Sequence, residues 1–458
     1  MRHNKLWKKA MALTCAAACA ATTLAGCGSS TQAEKPSEKT EAQGESGAAE
    51  GQTEITFTVW DYETTDYWKK LVEAFEAENP DIKVKVMDIG ATDYDTKIPV
   101  LLSSGDTSDV ITIKSMNIYN SLVEKNQLMP LDDKVKESGV DMAPYQGSDE
   151  GIRIDDKLYG LPFRNDYYLL YYNKTLFDQA GVEYPKSDMT WDEYRELAKK
   201  MTSGEGNDKV YGWFFPGYDA GQPALRMIES KLGLDWMYAP DGKSAAIDTD
   251  DVKDLTEKYL QRVEEGIEPS YVDVTTQKME PANMLLTGKA AMVFGDWVVR
   301  NVKDTDNYPH DFKVGFARMP RLSADQENNY TTSYSDDLSI NSKSQHPQEA
   351  MKFIKWYLEE GMDYVAPYAR IPACKKYDAD KVASLIFGEQ SDLFDMESAK
   401  NIYLTPTDFY VRKNMPVATE INTILTEEFD KVFAGAQSVE ETLQNAQKRA
   451  DEKIAQEQ

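Results

Sequence analysis

Hydrophobic and polar positions alternate between two periods along the first third of the chain after residue 53. Ile55, Phe57 and Val59 alternate with polar neighbours and predict a strand that ends at Trp60–Asp61. Trp68, Leu71, Val72 and Phe75 keep helical spacing, and Asn79–Pro80 stops that helix. Ile82, Val84 and Val86 predict a second strand. A helix follows from Tyr94 to Leu102, with a turn at Gly105–Asp106. Val110, Ile111 and Ile113 predict a third strand, and residues 121–128 a further helix. Strand–helix alternation of this kind implies an α/β lobe with a mainly parallel sheet. Ligands of such sheets meet the loops at the strands' C-terminal ends. Trp60, Asp61, Tyr62, Lys114, Ser115 and Asn117 occupy those ends.

The richest stretch is 158–177. A Gly160–Leu161–Pro162 break precedes an aromatic run of Tyr167, Tyr168, Tyr171 and Tyr172 around Leu169 and Leu170. The run predicts a buried strand, with Pro162 at its entrance rather than its middle. Arg164, Asn165 and Asp166 lie between break and strand. A polar triplet leading into a buried strand must be paired or face a cavity. Downstream, Thr190 and Glu193 predict a capping box. A strand from Ala290 to Phe294 ends in Gly295–Asp296–Trp297. Short strands are expected at Val314–Ala317 and around Leu338 and Ile340, and a helix with Pro347 at its first position. The last helix opens at Ser438 with Glu441, and Val439, Leu443, Ala446, Ala450 and Ile454 form its apolar stripe.

The N-terminal 27 residues read as a secretory signal: Arg2, Lys5, Lys8 and Lys9, then a short Ala-rich apolar run. The run ends in Leu24–Ala25–Gly26–Cys27, which resembles the lipobox of bacterial lipoproteins. Cys27 is thus the expected lipidation site, and residues 28–53 read as a disordered tether. A coil of that length reaches roughly 25–30 Å. The formal net charge is -27 over 458 residues; without the four basic residues of the leader it is -31. That balance argues against a nucleic-acid surface. With Cys27 assigned to lipid, no disulfide framework is expected, and Cys374 is most simply a packed residue.

No catalytic pattern is supported. Only His310 and His346 lie beyond the leader, in no metal-ligand spacing, and neither a nucleophile elbow nor a P-loop is present. Neither a metal nor a cofactor is expected. Aromatic residues at strand ends fit sugar binding better, since rings take the C–H faces of a sugar and polar neighbours take its hydroxyls. Helical stripes place Trp68 and Trp356 in the core; Trp60 and Trp297 are the ligand candidates.

From Ile55 onward the chain resembles the extracellular solute-binding proteins, family 1, of carbohydrate ABC importers, a maltose-binding-protein-like family. The resemblance rests on an ordered set. It comprises the strand ending in Trp60, Asn79–Pro80 before 82–86, Gly105 with Asp109–Val110, and residues 158–162 with 171–174. It continues through Thr190–Glu193, Gly288–Met292 with Trp297, and the closing helix. It implies an α/β two-lobe periplasmic-binding-protein fold, with a ligand cleft between lobes joined by three crossings. These are expected near Leu161–Arg164, Thr331–Asp336 and Arg370–Lys375. The expected bounds are 1–26 signal peptide, 27–53 tether, 54–163 with 334–373 as lobe 1, and 164–333 with 374–458 as lobe 2. By the resemblance Trp297, Asp166, Trp60, Tyr62 and, more loosely, Tyr218 contact ligand. The third-strand loop departs from the pattern, with Ile113 and Met116 where a Trp and an Asp stand in the family's maltose binder, which counts against maltodextrin. Lys114 and Asn117 are the substitutes there. Asp296 joins the list beside Trp297. Arg164, Asp336 and Arg370 are added from their places at the crossings, where an interlobe ion pair is an equally open reading.

The function so implied is a lipid-anchored, monomeric receptor on the outer face of the cell membrane. It would hand a sugar to an ABC permease with a cytoplasmic ATPase. A receptor for a polyamine, iron complex or peptide is the alternative, and a secreted glycan-degrading enzyme the more remote one.

Overall fold

In the computed structural model the described residues are 51–457 except 64, 92, 115, 146–151, 216–226, 230, 234, 296–297, 322, 326–332 and 406–416. Eleven strands are defined among them: β1 (Thr53–Val59), β2 (Ile82–Asp88), β3 (Val110–Ile113), β4 (Arg153–Ile154), β5 (Lys157–Leu158), β6 (Gly160–Tyr167), β7 (Leu169–Asn173), β8 (Met292–Gly295), β9 (Val314–Ala317), β10 (Ser333–Ile340) and β11 (Ile371–Pro372).

Two main sheets result, one per lobe. The first has the order β11-β6-β10-β3-β1-β2, the second β8-β7-β9. β1 runs parallel to β2 and β3, as helical crossovers require, while β10 pairs antiparallel with both β3 and β6. The first core gathers Ile55, Phe57, Trp68, Phe75, Ile111 and Leu338. Two further cores flank β7: Tyr168, Leu170 and Tyr172 face one, Tyr167, Leu169 and Tyr171 the other. All five residues of β7 are buried, because a strand covered on both faces needs apolar side chains on both. On β9, Gly315 stands opposite Tyr172, whose ring occupies the place a β-carbon would take at 2.1 Å.

Local chemistry fixes the helix ends. Helix Asp66–Glu78 buries Tyr67, Trp68, Leu71, Val72 and Phe75. Each large apolar side chain contributes ~1.5–3 kcal/mol on burial, before chain entropy is set against it. Asn79 closes that helix by donating its backbone and side-chain N–H to Phe75 O. The Thr190/Glu193 capping box is complete. Pro347 stands in the first turn of helix Pro347–Trp356, and the stripe of helix Val439–Glu457 is buried from Val439 to Ile454. Trp68 is 1% and Trp356 8% exposed, as core residues.

Three expectations change. The helix expected at 121–128 is Met116–Glu124, so Asn117 starts a helix rather than ending a loop. The short strand at Leu338 and Ile340 is the end of the eight-residue β10. Pro162 is the third residue of β6, not its entrance. It fits because β6 carries one extra residue: Arg164 faces Asp336 while Pro162 faces Asp337, so Phe163 forms a bulge. β11 pairs only with Arg164 and Asn165, leaving Pro162 no ladder partner on that side.

Asp337 lies beside this bulge, fully buried, and accepts a hydrogen bond from Ser335 Oγ at 2.9 Å. Burial pushes its carboxyl well above the ordinary carboxylate range; the Ser335 bond opposes this and the neighbouring Asp336 charge adds to it. The folded protein therefore holds a proton that the unfolded chain releases near 3.8. The stability this proton supplies is complete below that pH and is lost as pH rises through the folded value. Asp337→Asn should remove the slope, so that wild type loses about 1.4 kcal/mol per pH unit relative to the variant across that window. Urea unfolding of both proteins over a pH series tests this, and parallel stability profiles would refute it.

Candidate functional site

The three places where the chain passes between cores meet at one cleft. Phe163 packs in the first core and Tyr167 in the third, so β6 passes from one to the other through Arg164–Asp166. β10 runs alongside, antiparallel, with one register shift at Asp336/Asp337. The third passage lies at β11, with Ile371 in the third core and Ala373 in the first. The cleft has a volume of about 890 Å³. One wall carries Trp60, Asp61, Thr65, Asp95 and Lys114; the other carries Glu280, Pro281, Arg300, Asn301 and Tyr308. Arg164, Asp336, Tyr368 and Arg370 come from the crossings.

Arg164 and Asp336 are cross-strand partners, 2% and 1% exposed at their side chains, and form an ion pair through Nη2 and Oδ2. The Arg164 guanidinium carbon also lies 5.5 Å from the centre of the Trp60 ring and 5.6 Å from that of Phe163. Arg370 is buried beside them and follows Ala369, whose φ of 62° is left-handed and costly for a residue with a β-carbon. Tyr67 reports this cluster. Burial pushes its hydroxyl up, while Arg370 and Arg164 pull it down.

The strand-end loops supply the rest. Asp61, directly after Trp60, also has a left-handed φ of 55°, a conformation Asp tolerates better than most residues. Lys114 donates to Ala91 O at 2.6 Å, with Nζ 5.4 Å from the Trp60 ring centre and 5.5 Å from that of Tyr94. Partial burial raises the Asp95 carboxyl, and Lys114 lowers it.

Of the sequence candidates, Trp60, Lys114, Arg164, Asp336 and Arg370 line the cleft together. Tyr62 does not line it; its N–H donates to Asp88 Oδ2 at 3.0 Å, and its ring packs on the first core. Asp166 pairs with Tyr334 along β6, and Asn117 is the second residue of its helix; the side chains of both lie outside the described residues. Tyr218, Asp296, Trp297 and Cys27 also lie outside them. Asp95, Glu280, Arg300, Asn301, Tyr308 and Tyr368 were missed. Arg300 and Asn301 carried a usable signal, since they follow the candidate Trp297 by only three and four residues in the sequence. Tyr368 carried none.

Two sheet-based lobes facing a polar and aromatic cleft, with the chain crossing three times at its floor, define a two-lobed binding protein. The family model for bacterial extracellular solute-binding proteins matches residues 63–363, and the chain belongs to that family. A lactose-binding protein from Rhizobium radiobacter is 23% identical over 319 residues, covering 68% of this chain and 72% of that one. A multiple sugar-binding protein from Streptococcus mutans is 24% identical over 298 residues, covering 63% and 67%. Among solved structures, a sugar transporter from Rhizobium etli in an open conformation is 29% identical with a TM-score of 0.71, covering 87% of this chain and 99% of that one.

The buried Arg164–Asp336 pair makes a stability prediction. Asp336→Ala takes the ion-pair carboxylate from a buried guanidinium and should cost ~3–5 kcal/mol, whereas the double substitution Arg164→Met with Asp336→Leu should recover most of that. Denaturant midpoints measure both, and a double variant as unstable as the single one would show that the pair is not the cause.

Proposed function

We propose that this protein binds an extracellular carbohydrate, an oligosaccharide by preference, in the interlobe cleft and delivers it to the permease of an ABC importer. The cleft carries the reading. Thr65, Asn301 and Tyr308 offer neutral hydroxyl and amide groups from both walls, beside the aromatic ring of Tyr368. A sugar hydroxyl nets only about 0.5–1.5 kcal/mol per hydrogen bond, so affinity needs several such groups acting together. Contacts from both lobes favour a closed state over an open one. The sugar-binding names of the relatives support the same ligand class. Lys114, Arg164, Arg300 and Arg370 match the four carboxylates Asp61, Asp95, Glu280 and Asp336 in number, so the described lining has no net negative charge to favour a polyamine.

Asp166, Asp296 and Trp297 enter this reading as further contacts, because their neighbours Arg164, Gly295 and Val298 line the cleft. Tyr218 rests on the resemblance alone, and Asn117 on its place after the third strand, where the chain departs from the family's pattern. The receptor acts as a monomer without catalysis, anchored through lipid on Cys27 and held off the membrane by residues 28–53. The permease with its ATPase reads the closed form.

A glycan panel tests the ligand class. Any sugar present at 100 times its Kd should stabilise the body formed by residues 54–458 by about 2.7 kcal/mol, seen as a raised Tm. No shift across a broad panel, with a shift for polyamines or peptides, would assign the cleft elsewhere, and glycan hydrolysis would disprove a pure receptor. Cys27→Ser should abolish incorporation of labelled palmitate in cells; unchanged labelling would refute the anchor.

A further inference from the structure

Trp60 is the obvious stacking ring of the first lobe, yet its surroundings leave it little to stack with. It is 6% exposed. Trp68 and Tyr94 meet it edge-on, with ring centres at 6.0 and 5.2 Å. Lys114 Nζ and Arg164 Cζ lie over the ring at 5.4 and 5.5 Å. A cation over an indole takes the electron-rich face that a sugar's C–H groups need. Its backbone is committed as well, since Trp60 O accepts the Trp68 indole N–H at 3.0 Å.

Tyr368 has the opposite situation. It lines the same cleft and is only partly buried. Tyr67 backs its ring at 5.2 Å between centres, tilted by 56°. Its main chain is pinned on both sides. Lys303 Nζ donates to Pro367 O at 2.6 Å, and Ala369, at φ 62°, donates its N–H to Ala366 O at 2.9 Å. A ring whose backbone is fixed in a strained turn is an ordered platform, and such strain gathers at functional positions. Across the cleft, Asn301 and Tyr308 present an amide and a hydroxyl from the other lobe.

We infer that Tyr368, rather than Trp60, is the ring-stacking platform of the cleft. It takes the C–H face of a neutral sugar ring, with Asn301 and Tyr308 meeting the ring's hydroxyls on closure. This assignment rests on the carbohydrate reading. Trp60 then works as a support that holds Lys114 and Arg164 in place.

The test is calorimetric titration of the mature protein with lactose, maltotriose, mannotriose and a wider set of neutral glycans, using the tightest binder for the variants. Tyr368→Ala should weaken it at least ~10-fold, about 1.4 kcal/mol, while Tyr368→Phe, which keeps the ring, and Trp60→Phe should stay within ~3-fold. Tyr368→Leu keeps bulk without a π face and should behave as the Ala variant does, which covers a folding defect in either. Tyr368→Ala and Tyr368→Leu binding as wild type overturns the assignment alone. So does a ~10-fold loss in Trp60→Phe. A wild-type protein that binds no glycan overturns the carbohydrate reading, and this assignment with it.

Discussion

The ion pair between Arg164 and Asp336 sits where the two lobes join, and most of the cleft's geometry hangs on it. Its members face each other across β6 and β10, between Phe163 in one core and Tyr167 in another. Moving two such charges out of water costs several kcal/mol for each ion, a cost met only when contact geometry is good. Strand pairing supplies that geometry, and the bulge at Phe163 turns the register so that Arg164 meets Asp336 while Asp337 faces Pro162. The same guanidinium lies over Trp60. One residue thus ties strand alignment, the floor of the cleft and the end of β1 together. A ligand that touches this floor acts on the residues that link the lobes, which is the differential contact a closing transition needs.

Burial of charge does not by itself mark a binding site. Arg262 and Glu268 form another pair, each 2% exposed at the side chain, with Nε and Oε2 2.9 Å apart. Burial pushes the Glu268 carboxyl up against the pull of Arg262. The guanidinium lies 4.7 Å from the centre of the Trp213 ring. Trp213 packs in a single core with Tyr259, and neither charge lines the cleft. The chemistry matches that of Arg164 and Asp336, but the pair braces one lobe from within. Position relative to the crossings separates the two cases.

The sequence disclosed what depends on local period and local capping. β1, β2, β3 and β9 lie where the alternation placed them, and the Thr190 box and the Pro347 helix start follow from short-range hydrogen-bonding rules. It also located the polar triplet at the first crossing. Bends, not periods, hid the rest. The left-handed turn at Asp61 is a backbone feature that composition does not mark, and Tyr62 beyond it packs on the core instead of lining the cleft. Tyr368 reaches the cleft through the left-handed Ala369, where no glycine announces a turn. Lys114 over Trp60 joins residues 54 positions apart, and only the parallel pairing of β1 with β3 brings them together.

The acidity of the chain then takes on a narrower meaning. A formal net charge of -27 suggests a cation as ligand if it is read as a property of the site. Among the described residues the cleft instead balances Lys114, Arg164, Arg300 and Arg370 against Asp61, Asp95, Glu280 and Asp336. At physiological ionic strength charges screen within about 8 Å, so a ligand in the cleft senses this near balance more than the distant surface. Equal numbers of cations and carboxylates among the described lining residues suit a neutral ligand better than a strongly charged one. Most of the acidic residues lie outside the described lining of the cleft, where they keep the body solvated and oppose adsorption to anionic surfaces.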